Sequence, residues 1–121
     1  MLLFALIFCS CTNANAKVVV GAEQTDRYLP QLEGKRVAVL ANHTAMVGEQ
    51  HLVDMLVAQG VNLVGIVSPE HGFRGTADAG EKVASSVDSR TGVPIWSLYS
   101  AKGRRLTDEQ MAAFDVMVVD M

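Results

Sequence analysis

Cysteine is confined to the first eleven of the 121 residues, at Cys9 and Cys11. The rest of the chain therefore carries no disulfide framework, no cysteine-ligated metal and no thiol nucleophile. A basic excess is also missing: 10 Lys and Arg stand against 13 Asp and Glu. Nothing here neutralises a phosphate backbone, which removes nucleic acid as a partner. Charge is sparse at 19% while half the chain is apolar, the reverse of what keeps a chain disordered. No apolar run approaches the roughly 20 residues that span a bilayer. The patterns G-x-G-x-x-G, G-K-[ST], G-x-S-x-G and H-E-x-x-H do not occur. No phosphate loop, nucleophile elbow or metal-binding histidine pair is therefore read, and no metal or cofactor is expected.

What is present begins with residues 1–16, MLLFALIFCSCTNANA, which hold no charge. An apolar run from Leu2 to Phe8 precedes small and polar residues ending Ala14-Asn15-Ala16. This predicts a secretory signal peptide cleaved after Ala16. The rival reading is a lipoprotein signal, with Ser10 preceding a lipidated Cys11. Either way the body, residues 17–121, is expected outside the cytoplasm, in the periplasm or medium, or anchored by lipid at Cys11.

The body alternates short apolar runs with helical spacing. Arg36 to Ala41, Val61 to Val67, Pro94 to Leu98 and Val116 to Val119 read as strands. Between the first two, Glu49 to Gln59 places Leu52, Met55, Leu56 and Gln59 at helical intervals, with Gly60 as the stop. His51 is expected on that helix as a solvated residue. Thr107 and Gln110 make a capping box that opens another helix. Continuous apolar strands separated by helices predict an α/β fold, a doubly wound parallel sheet with helices on both faces. The chain ends at Asp120-Met121, directly after the fourth strand, and is expected to be a fragment of a longer protein.

Ligands of such sheets bind where loops leave the carboxyl ends of the strands. Four candidates stand there: Asn42-His43-Thr44, the Ser68-to-Gly75 loop, Ser97 to Ser100, and Asp120. The second is the richest. Some 26 residues separate Val67 from Pro94, and loops of that length in small domains are usually functional or disordered. Glu70, His71, Arg74, Asp78 and Glu81 cluster there among Gly72, Gly75 and Gly80. A carboxylate at an apolar sheet edge can be raised in pKa toward a general acid, and Glu70 is best placed for that; alternatively it pairs with Arg74. His71 reads as a base, a metal ligand or a satisfied loop histidine. Asn42 and Thr44 either hold a polar ligand or stabilise a turn. Asp120 is functional or a cap, and Trp96 and Tyr99 line a sugar cleft or belong to the core.

Four blocks carry a resemblance: Leu40 to Thr44, Ser68-Pro69-Glu70-His71-Gly72-Phe73-Arg74-Gly75, Ala77 to Lys82, and Gly92 to Tyr99. From about Val18 to Met121 the chain resembles the bacterial exo-β-N-acetylmuramidase family, long catalogued as a domain of unknown function. The resemblance implies an exported enzyme with an N-terminal Rossmann-like domain, a smaller C-terminal domain and an active site between them. It implies release of N-acetylmuramic acid from the non-reducing ends of peptidoglycan fragments, in cell-wall turnover, with muramyl glycosides as partners. By position Glu70 matches the family's catalytic acid, and His71, in the polar block around it, is expected to act with it in catalysis. Asn42, Arg74, Asp78, Glu81 and Asp120 are the expected substrate-binding residues. His43-Thr44-Ala45 departs from the family's Gln-Thr-Gly, and the chain stops where the family continues. Residues 17–121 thus read as a partial catalytic domain, expected to be inactive alone. The competing expectation is an exported, non-catalytic module that binds a wall sugar or another small polar ligand.

Overall fold

The computed structural model describes residues 18–69, 74, 86–99 and 104–121. The leader with Cys11, and the loop residues Glu70, His71, Asp78 and Glu81, lie outside the described residues. In chain order a helical turn at Gly21–Glu23 leads into α1 (Thr25–Leu32), β1 (Val37–Ala41), β2 (Met46–Val47), β3 (Gln50–His51) and α2 (Leu52–Ala58). Then come β4 (Leu63–Ser68), β5 (Ser86–Val87), β6 (Pro94–Ser97), α3 (Asp108–Ala112) and β7 (Val116–Asp120).

β1 is buried almost throughout because it is paired on both sides, by β4 and by β7, in parallel. The five-stranded sheet runs β5-β6-β4-β1-β7, with only the two-residue β5 antiparallel. The chain therefore steps from β1 to β4 to β6 in one direction, then crosses back to place β7 on the other side of β1. That reversal is the topological switch of a doubly wound sheet. Right-handed crossovers then put α2 and α3 on opposite faces.

Packing agrees with that placement. Val37, Val39, Ala41 and Ile66 point to one face and form a core with Leu52, Val53, Met55 and Leu56 of α2 and Leu32 of α1. On the other face, Gly65 and Val67 of β4 are the neighbours of Trp96, which pairs with Val67 in register. The Trp96 ring lies where a Cβ on Gly65 would stand, so glycine is required there by close approach. The same ring lies 6.3 Å, centroid to centroid, from Phe114, just beyond α3. Trp96 is thus a packing residue of that face.

The four expected strands are present within two residues of their expected limits. The capping box is also as read: Thr107 Oγ1 accepts the Gln110 N–H at 3.2 Å, and Gln110 Oε1 accepts the Thr107 N–H at 2.9 Å. The helix expected from Glu49 starts only at Leu52, because residues 46–51 form a β2–β3 hairpin that turns at Gly48 (φ 60°). This corrects the expectation for His51. It is the N-cap of α2 rather than a residue within it, and it is buried, at 8% exposure.

Candidate functional site

The carboxyl ends of β1 and β7 flank the switch point, and Ala41 is in register with Asp120. Two of the expected residues, Asn42 and Asp120, therefore come together at adjacent strand ends. Asn42 builds the turn that follows. Its Oδ1 accepts both the Thr44 N–H (2.9 Å) and the Thr44 hydroxyl (2.7 Å), an arrangement that Asn side chains favour in turns. The Asn42 carbonyl accepts from the Ala45 N–H at 3.2 Å and lies 2.9 Å from His51 Nε2. His51 Nδ1 accepts the Val53 N–H at 3.2 Å, so Nε2 carries the proton and donates to Asn42. One imidazole thus joins the end of β1 to the start of α2.

Asp120 borders a cavity of about 550 Å³ between α1, β7 and the β1–β2 turn, lined also by Tyr28, Thr44, Leu52 and Val118. The Tyr28 hydroxyl donates to the Ala22 carbonyl at 2.8 Å. Burial, and then the Asp120 charge, push the Tyr28 phenol above its usual pKa. The cavity accordingly pairs an apolar wall with a neutral hydroxyl and a carboxylate. At the ends of β4 and β6, the Leu98 N–H reaches the Ser68 carbonyl at 3.0 Å. The Tyr99 ring is half-exposed there, with the Arg104 guanidinium 5.0 Å from its centroid.

In the loop after β4, the Arg74 guanidinium meets two carboxylates. NH1 and NH2 donate to Asp54 at 3.0 and 2.6 Å, while Nε and NH2 donate to Asp88 at 2.9 and 2.8 Å. Both contacts are two-point forks, the geometry at which arginine excels. Asp88 is 3% exposed and also accepts from the Thr91 hydroxyl (2.6 Å) and N–H (3.1 Å). These donors, Arg74 first, hold the Asp88 carboxyl down at about 2. Hydrogen bonding to Arg74 likewise lowers Asp54, and the two carboxylates together raise Arg74. Arg90 approaches Asp54 at 3.4 Å from the solvent side. A substrate carboxylate at Arg74 would have to share the guanidinium with these partners.

Sequence reasoning singled out neither Asp54 nor Asp88, and missed Tyr28. Asp88-Ser89-Arg90-Thr91-Gly92 does have turn composition, and Asp54 sits in the first turn of α2, where the helix dipole favours an acid. Neither signal names Arg74 as partner. Among the described residues, no three His, Cys, Asp or Glu side chains converge as metal ligands, and no helix is long and apolar enough to cross a membrane.

Comparison with known proteins follows the same lines. The family model described as exo-beta-N-acetylmuramidase NamZ, N-terminal, matches residues 37–121. The peptidoglycan beta-N-acetylmuramidase NamZ of Bacillus subtilis (strain 168) is 36% identical over 96 residues, spanning 78% of this chain and 23% of that protein. Crystal structures of two DUF1343 family proteins from Bacteroides fragilis NCTC 9343 share the fold, each with a TM-score of 0.67. One is 46% identical, covering 83% of this chain and 24% of its own. The other is 36% identical, covering 80% and 24%. The chain spans about a quarter of the length of these relatives.

Proposed function

Since the chain belongs to the NamZ exo-β-N-acetylmuramidase family, by the family's N-terminal region, we propose that it is the acid-bearing part of an exported glycosidase. The complete enzyme removes N-acetylmuramic acid from the non-reducing ends of peptidoglycan fragments. What supports this reading is the span of the family match: residues 37–121 include Asn42, Glu70, His71, Asp78, Glu81 and Asp120.

Glycoside hydrolysis needs a proton delivered to the leaving oxygen as the C–O bond breaks. Glu70 is that donor in this reading, two residues beyond the end of β4, with His71 beside it in the sequence. The developing positive charge on the sugar is met by a second carboxylate, from Asp78, Glu81 or Asp120, or by the sugar's own 2-acetamido oxygen. Asn42 contributes donors: its Oδ1 is committed to Thr44, which leaves Nδ2 to face a ligand at the switch point. The apolar wall and Tyr28 hydroxyl beside Asp120 suit a sugar that carries both methyl and hydroxyl groups.

The test is to incubate the full-length protein with a muramyl glycoside that has a free non-reducing end. Released N-acetylmuramic acid supports the reading. Calorimetric binding with no product over long incubation supports a binding module instead.

A further inference from the structure

The Arg74 clamp joins three parts of the chain that are far apart in sequence. Asp54 belongs to α2, whose start is fixed by the His51 cap. Asp88 begins the β5–β6 turn and is fixed there by Thr91, by a backbone bond from its own N–H to the Val93 carbonyl (2.9 Å), and by burial. Arg74 alone comes from the connection that leaves β4 at Ser68. At the other end, Ser68 is held in the sheet by its pairing with Ser97, directly after Val67, which lies between Leu40 and Trp96, and its carbonyl is bonded to the Leu98 N–H. The connection is therefore pinned just before Glu70 and again four residues after it. Covalent reach keeps Cα atoms four residues apart within roughly 14 Å.

An isolated exposed ion pair contributes little, because two long side chains lose freedom in making it. This one differs in geometry. The Asp54 and Asp88 carboxylates are brought onto a single guanidinium, at 16% and 3% side-chain exposure. Their mutual repulsion is tolerable only while the cation stays between them. Arg74 is thus held from two independent directions, and sliding along either is opposed by the other.

We propose that Asp54 and Asp88 are positioning residues: through Arg74 they fix the connection that carries Glu70, so turnover depends on two side chains that touch no substrate. This rests on the reading of Glu70 as the acid. It differs from direct substrate binding by Arg74, because in that case removing a competing carboxylate would not slow the reaction.

The experiment uses the full-length enzyme with D54N, D88N, R74M, R74K and, as reference, E70Q. Initial rates on a muramyl glycoside are measured alongside amide hydrogen exchange over residues 70–85 and a urea midpoint for each variant. In D54N, D88N and R74M, kcat is expected to fall roughly 10- to 100-fold, as misplacement of about 1 Å can do, while KM changes by less than about threefold. Exchange over 70–85 speeds up. R74K does not restore the rate, since an ammonium cannot fork to two carboxylates. Should D88N not fold, D54N carries the test, because its side chain is the more exposed of the two. An unchanged kcat in D54N and D88N with a raised KM in R74M overturns the proposal in favour of direct binding. If E70Q turns over normally while the clamp variants still lose rate and protection, the acid assignment fails and the clamp stands. If E70Q is inactive and the clamp variants keep full rate and protection, the clamp fails and the acid stands.

Discussion

Replacing Asp88 by Asn removes one charge from the most buried carboxylate among the described residues and keeps its size. In the native chain the Asp88 carboxyl is held at about 2, against a usual 3.8, chiefly by Arg74 and Thr91. At 1.36 kcal/mol per unit, that depression corresponds to about 2.5 kcal/mol of stability at neutral pH. The folded value lies below the unfolded one, so the contribution is complete above about pH 5 and is lost as pH falls through 3.8 toward 2. By the same linkage, roughly a third of it remains at pH 2.5. D88N should therefore be less stable than the native chain by about 2.5 kcal/mol at pH 7 and by under about 1 kcal/mol at pH 2.5. Asp115, which Arg36 also holds at about 2, is common to both chains and cancels. The assay is urea unfolding at the two pH values, followed by fluorescence of Trp96, the single tryptophan. Equal midpoints at pH 7 would show that the Asp88 charge does not stabilise the fold, as would a difference that does not shrink in acid.

Gly65→Ala pushes a methyl group into the Trp96 ring, and overpacking of this kind costs about 1–3 kcal/mol. The urea midpoint should drop and the Trp96 emission shift, whereas an unchanged spectrum would mean that the ring is not seated there. His51→Ala removes the cap of α2 and the bond to the Asn42 carbonyl, worth about 1–2 kcal/mol in thermal melts. His51→Asn keeps a capping acceptor and should lose less, so equal losses in the two variants would contradict the capping role. Leu56→Ala empties part of a fully buried core site and should cost about 2–5 kcal/mol. A loss below about 1 kcal/mol would show that α2 is not packed as described.

Features built from near neighbours were legible in the sequence. The Thr107–Gln110 box needs only four consecutive residues, and β1 and β4 announce themselves as uninterrupted apolar runs because a central parallel strand is covered on both faces, while β7, at the edge of the sheet, shows the same run without being buried. α1 is hidden by Pro30, which argues against a helix although the chain tolerates it here. The β2–β3 hairpin is hidden because Leu52, Met55 and Leu56 impose helical spacing on a window whose first residues belong to a turn. Two-residue strands such as β5 have too few positions to show a period.

Strand order, and with it the meeting of Asn42 and Asp120, comes from pairing between distant segments. The Arg74 clamp is of the same kind: its carboxylates lie 20 residues before it and 14 after. Local pattern carries no information at that range. Sequence reasoning found the charged loop but not what anchors it.

In the function proposed above, Glu70 delivers the proton in a muramidase reaction. Its most direct test is the turnover of E70Q against the native residue in the full-length protein, on a glycoside with non-reducing N-acetylmuramic acid. An amide of the same shape cannot donate that proton, so kcat should fall by roughly 10²- to 10⁴-fold with substrate still bound. Native turnover by a folded E70Q would contradict Glu70 as the proton donor.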